Sequence, residues 1–173
     1  MNGYRIIRAC KDDVQCIHGM ADIVFRHTYR EILSPEQMEY MMDWMYSPAS
    51  LRQQMDQGHV YYIAFRNEVP CGYVSIQREG ATDSGHQLFH LQKIYVLPSK
   101  QGSGLGRLLF EKAVSHIRSE SSGRPAALEL NVNRNNPAIG FYHHLGLKIL
   151  REGDFHIGKG FYMNDYIMGA DID

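Results

Sequence analysis

The run Gln101-Gly102-Ser103-Gly104-Leu105-Gly106-Arg107 places glycine at 102, 104 and 106, after an apolar stretch and at the opening of a helical pattern. Residues without a Cβ let the backbone pass close to a ligand. The first turn of a helix carries amide N–H groups with no intrahelical acceptor and the positive end of the helix dipole. Glycines and helix start together make a cradle suited to a pyrophosphate. Two better-known phosphate loops are excluded by residue type. A GxGxxG fingerprint counted from Gly102 or Gly104 requires glycine where Arg107 and Leu109 stand, and no Gly-Lys-Ser/Thr is present for a P-loop. A structural turn with no ligand is the competing reading of the same residues.

Such a loop has to be held between a strand and a helix, and the flanking sequence supplies both. Residues 87–97 read as a long strand whose apolar positions, Phe89 and Leu91 and then Ile94 and Val96, change parity. A one-residue slip turns every side chain to the opposite face, so a β-bulge near Gln92 and Lys93 is expected to restore one face. Burial of the strand's end on both faces, with Tyr95 and Leu97 also apolar, is the alternative. Residues 104–120 read as a helix, with Leu105, Leu109, Ala113 and Ile117 at i+4 spacing. Leu128, Leu130 and Val132 alternate with polar residues, as in a half-buried strand. Ala138, Phe141, Tyr142 and Leu145 share one helical face, and Gly146 is placed to end it. Strands near 148–151 and 161–168 complete this half.

The first half opens with a strand at 4–9 and a helix over 12–26. Ser34-Pro35-Glu36-Gln37 predicts a capped helix start with Gln37 reaching back as a capping box, and Ser47-Pro48 repeats the cap before a short helix ending near Gly58. Strands follow at 60–66 and 71–78, joined by a turn at 67–70, with a loop at 80–85. Met and aromatic side chains crowd residues 40–46; they suit either packing onto a sheet or an adaptable wall around a small substrate. Strand–helix–strand–helix–strand with short connections implies an α/β or α+β layer fold with a mixed sheet.

A second group of residues lies in the segment 135–147: Asn135, Ala138, Phe141, Tyr142 and Gly146. Together with Gln101, Gly104 and Gly106 it resembles the GNAT superfamily of N-acetyltransferases, whose loop reads Q/R-x-x-G-x-G/A and whose second signature reads N-x-x-A-x-x-F-Y-x-x-x-G-F. The final Phe is Leu147 here, a departure that touches packing rather than chemistry. The motifs cover roughly residues 88–148, and the order of elements extends the likeness to the whole chain. The resemblance implies a single N-acetyltransferase domain over 1–173, built on a mixed, mostly antiparallel sheet of about seven strands, flanked by helices and splayed where acetyl-CoA enters. It implies that the backbone of Ile94, Tyr95 and Val96 pairs with the pantetheine arm, and that Gln101, Gly102, Ser103, Gly104, Leu105, Gly106 and Arg107 hold the pyrophosphate. Asn135 would bond the pantetheine, and Tyr142 would protonate the leaving thiolate. The stretch 91–96, the glycine loop and the region of Tyr46, Ser47 and Pro48 are also similar to bacterial polyamine acetyltransferases of the PaiA type, which implies a small-molecule amine such as spermidine as acceptor.

Read without the resemblance, Tyr142 is a core tyrosine and Asn135 a helix N-cap. For a general base, His90 and Glu129 can accept a proton and Gln92 cannot, and a water relay stays open. His143 and His144 point apart on a helix, so no metal site is expected. Three cysteines without a CxxC spacing argue against a disulfide framework or zinc knuckle, and none falls in the motifs to carry a covalent intermediate. A formal net charge of -1 gives no global attraction to nucleic acid or anionic membrane. Residues 1–8 show no apolar leader and no apolar run is long enough to span a bilayer, so a cytoplasmic protein is the default expectation. A homodimer is left open. The rival functions are an acyl-CoA-binding sensor without catalysis and an acetyltransferase acting on protein termini or lysines.

Overall fold

The computed structural model describes residues 3–173; Met1 and Asn2, part of the segment read above for a leader, lie outside it. Among the described residues the order is β1 (Arg5–Arg8), α1 (Val14–Tyr29), α2 (Pro35–Tyr46), α3 (Pro48–Asp56), β2 (Val60–Arg66), β3 (Val69–Ala81), β4 (Gln87–Val96), α4 (Leu105–Ser121), β5 (Ala126–Asn133), α5 (Ala138–His144), β6 (Lys148–Gly158) and β7 (Phe161–Ile172). The strands form one seven-stranded sheet in the order β1-β2-β3-β4-β5-β7-β6. Every neighbouring pair is antiparallel except β4 and β5, which run parallel because α4 crosses between them.

Both faces of the sheet are covered at β2, which explains why that strand reads as an almost unbroken apolar run. Tyr62 and Ala64 join a core under α4, where Leu105, Leu109, Ala113 and Ile117 meet Ile76, Phe89 and Leu128. Tyr61 and Ile63 join a second core under α1–α3, where Ile17, Phe25, Met41 and Tyr46 meet Tyr73. The expected bulge is present: Ser75 pairs with Lys93 and Ile76 with Leu91, so the ladder skips Gln92. Phe89, Leu91 and Ile94 therefore all face α4, while Tyr95 packs into the second core.

Ser34 and Ser47 cap α2 and α3, accepting from the N–H of Gln37 and Ser50 at 3.1 and 3.2 Å. The capping box does not close. Gln37 donates its amide to the Tyr162 carbonyl at 2.8 Å instead, tying α2 to β7. The turn between β2 and β3 is tighter than expected, with Asn67 and Glu68 alone at positive φ. β3, β6 and β7 each run beyond the expected bounds, to Ala81, Gly158 and Ile172.

Candidate active site

The parallel ladder between β4 and β5 covers only Gln87–His90 against Ala126–Glu129. Past it, β4 stays paired with β3 up to Val96 and β5 with β7 up to Asn133, so the two central strands part. A cavity of about 850 Å³ occupies the opening, walled by residues 91–96 of β4, 130–132 of β5, the loop before α4, the start of α5 and the C-terminal end of α1. Ile94, Tyr95, Val96, Gln101, Gly102, Gly104, Leu105, Gly106, Arg107, Asn135 and Tyr142 all line it. Ser103 does not: its hydroxyl donates to the Lys100 carbonyl at 2.6 Å and accepts from Tyr4, which fixes the loop from behind.

The loop presents bare amides. Gly102 and Gly104 take φ of +80° and +83°, where a Cβ is strained. No side chain caps α4, and its first internal bond runs from the Leu108 N–H to the Gly104 carbonyl. The N–H groups of Leu105, Gly106 and Arg107 are thus without an intrahelical acceptor at the cavity wall. Gly106 has a different reason to be glycine: a Cβ there would lie 3.1 Å from the ring of Phe141, so it lets α5 close onto α4. Arg30, Lys100 and Arg107 add cationic side chains to the lining, a local field that the chain's net charge conceals.

Tyr142 is 9% exposed, and burial pushes its hydroxyl above the usual tyrosine range, so it stays protonated. The helix cap considered for Asn135 is not made: α5 follows Pro137 without a side-chain cap. The side chain of Asn136 bridges instead: its Oδ1 accepts from the Ala138 N–H at 2.9 Å, and its Nδ2 donates to the Tyr29 hydroxyl at 3.3 Å. Asn135 is left exposed beside the cavity.

An uncapped helix start, an unpaired strand edge and a buried proton donor around one opening suit a long, pyrophosphate-bearing thioester, and the sequence decides the family. Residues 24–147 match the model of the acetyltransferase (GNAT) family. The chain belongs to the GNAT family of acetyltransferases. Solved structures share the fold along nearly the whole chain. The PaiA N-acetyltransferase from Thermoplasma acidophilum, in complex with coenzyme A, superposes with a TM-score of 0.75 at 20% identity, covering 96% of this chain and 97% of its own. The ribosomal-protein-S18-alanine N-acetyltransferase from Escherichia coli gives 0.69 at 18% identity, over 98% and 94%. The yncA protein from Salmonella typhimurium, with its cofactor acetyl-CoA, gives 0.63 at 20% identity, over 99% and 95%. The protein is an acetyl-CoA-dependent N-acetyltransferase. Among the described residues no cluster of three or more His, Cys, Asp or Glu is arranged to hold a metal ion, and no helix is long and apolar enough to cross a membrane.

The acetyltransferase has a second cavity, of about 280 Å³, which shares Tyr29, Gln92, Lys93, Tyr95 and Asn131 with the first. Phe25, Leu33, Met41, Met45 and Tyr46 make its apolar wall, with Trp44 and Tyr162 exposed at the rim. In the Met-rich stretch of α2, Met41 and Tyr46 are core residues that also line this cavity. Of the base candidates, His90 lines this cavity, its ring nitrogen 3.3 Å from Glu79. Glu129 lines neither cavity and is held by Arg151 at 2.8 Å.

Two charged residues here were not singled out from the sequence. Asp165 is 1% exposed, and its one hydrogen-bonding partner among the described residues is the Asn131 amide at 3.3 Å. Burial raises its carboxyl above the usual range. Lys93 is 9% exposed and is pulled down to about 7 by burial. The parity change in β4 was the signal that could have found Lys93, because a bulge at Gln92 decides which way the next side chain turns.

Proposed function

We propose that the enzyme acetylates the primary amine of a small molecule that carries one positive charge and an apolar or aromatic body. The observation that carries this reading is the lining of the smaller cavity: a single buried carboxylate, Asp165, facing a wall of aromatic and Met side chains. Arg134 and His90 act on Asp165 without forming an ion pair among the described residues, and a buried carboxylate left unpaired is costly unless a ligand supplies the charge, as an ammonium does. A polyamine, the acceptor implied by the PaiA-like sequence features, would need further anions along its length, and Asp165 is the one carboxylate in this lining among the described residues.

In this reading acetyl-CoA lies in the larger cavity. The amides of residues 105–107 and the side chains of Lys100 and Arg107 hold its pyrophosphate, the unpaired edge of β4 at Ile94–Val96 holds the pantetheine, and Asn135 bonds the arm. The neutral amine attacks the thioester carbonyl carbon, an N–H of β4 steadies the oxyanion, the C–S bond breaks, and Tyr142 gives its proton to the sulfur. A screen of thiol release from acetyl-CoA over benzylamine, phenethylamine, spermidine, amino acids and short peptides tests the acceptor. The arylalkyl monoamines are expected to show the highest kcat/KM. Faster turnover of spermidine, with a rate that falls as salt rises, would return the assignment to the polyamine class; turnover of peptides alone would make it a protein acetyltransferase.

A further inference from the structure

The acceptor arrives as an ammonium and must lose a proton before it can attack, so the site needs a base that is itself neutral near pH 7. We infer that Lys93, which lines both cavities, is that base and takes the proton from the acceptor's ammonium. The inference rests on the acceptor reading above.

The placement of Lys93 follows from the bulge. With Gln92 skipped in the ladder, Lys93 pairs with Ser75 and its side chain turns toward α2, α3 and β2. Its Nζ donates to Gln54 Oε1 at 2.7 Å and to the Tyr61 hydroxyl at 2.6 Å. Gln54 is locked in that orientation, because its own amide donates to the Met45 carbonyl at 2.7 Å and its Oε1 also accepts from Tyr61. A neutral amine has two N–H donors and one lone pair. The two observed bonds use both donors and leave the lone pair as the one unused site on nitrogen.

The surroundings favour the neutral form and tolerate the charged one. Among the described residues no carboxylate forms an ion pair with Lys93. Tyr46 from α2 and Tyr61 from β2 face it, and burial holds both phenols above the usual range, so neither supplies a negative charge. His59, just before β2, is pushed down to about 4, chiefly by burial, so it is neutral too. Glu79 of β3 and His90 of β4 pair with each other, and Asp165 of β7 lines the same cavity. Burial alone therefore brings the Lys93 ammonium down to about 7. Once protonated, the nitrogen lies 4.7 Å from the Tyr46 ring centroid and 5.3 Å from that of Tyr61, within range of a cation–π interaction.

The proton balance closes without another reagent. The acceptor ammonium gives a proton to neutral Lys93, and the free amine attacks. Tyr142 protonates the departing sulfur and regains a proton from the nitrogen of the tetrahedral intermediate. Lys93 releases its proton to solvent, one per turnover.

The test compares wild type with Lys93→Met and Lys93→Gln, using thiol release with the fastest amine of the screen and with 2,2,2-trifluoroethylamine, which is mostly neutral at pH 7. Thermal unfolding and acetyl-CoA affinity, unchanged in at least one variant, establish that the fold is kept. With the basic amine, the kcat–pH profile of wild type is expected to rise to a plateau through pH 7. In the variants kcat should drop about 10²-fold at pH 7 and climb without a plateau toward the amine's own pKa. Trifluoroethylamine needs no deprotonation, so its kcat should stay within about threefold of wild type. Variants that keep the plateau and the rate, or that lose both amines equally, overturn the assignment of Lys93. A wild-type enzyme that acetylates no amine in the screen overturns the acceptor reading instead.

Discussion

Removing one oxygen, in Tyr142→Phe, keeps the ring that packs into the core under α4 and deletes the buried proton donor. We expect kcat to fall about 10²-fold, the lower end of general-acid effects because a thiolate is already a fair leaving group. Acetyl-CoA affinity should change by less than about twofold. Burial raises this hydroxyl above its ordinary range, so the donor is not lost as pH increases, and wild type should show no falling limb below about pH 10. Steady-state kinetics across that range check both points; a wild-type kcat in the mutant would make Tyr142 a packing residue only. At this scale the sequence was uneven in what it disclosed. That Tyr142 and Asn135 would line one opening was legible because each belongs to a motif of fixed spacing. Lys93 was not, since a lysine in a strand of alternating residues reads as a solvated position, and the one-residue bulge alone turns it inward. Asp165 lies in a strand without a motif, and only the pairing of β7 with β5 brings it beside Asn133 and Asn131.

Among the elements, the start of α4 carries most of the proposed pyrophosphate site. Its glycines are poor probes of that role. A side chain at Gly104 is strained at φ +83°, and one at Gly106 presses on Phe141, so either change disturbs the packing of α4 along with the cradle. Lys100 and Arg107 can be removed more cleanly. The double variant Lys100→Ala/Arg107→Ala is expected to weaken acetyl-CoA binding about 10-fold at low salt, with the difference from wild type shrinking at 0.5 M salt as the charges are screened. Calorimetry at the two salt concentrations measures this, and equal affinities at low salt would remove these residues from the pyrophosphate site. The glycine loop, the helix and the bulge were legible from spacing and parity. The full lengths of β6 and β7 were not, because the β6 residues beyond Arg151 are largely exposed and show no regular apolar alternation, and their extension is imposed by pairing between the two strands. The end of α1 gave no sign that it would form a cavity wall; its apolar face predicted packing alone.

For the molecule as a whole, one topological fact joins fold to chemistry: two parallel strands share four pairs and then separate. That separation opens the larger cavity on one side to the helix start that can hold a pyrophosphate and on the other to the smaller, aromatic-walled cavity suited to an amine. The mixed sheet and its splay were anticipated through the family likeness; the smaller cavity was not, because it is assembled from α1, α2, β4, β5 and β7, which are far apart in sequence. In the proposed complex the thioester lies where these two cavities meet, beside Tyr142. The distance from the coenzyme A sulfur to the Tyr142 hydroxyl in a crystal of the complex tests this most directly. We expect about 3.5 Å or less, within reach for proton transfer to sulfur. A sulfur more than about 6 Å away, with the Tyr142 hydroxyl turned into the core, would contradict it.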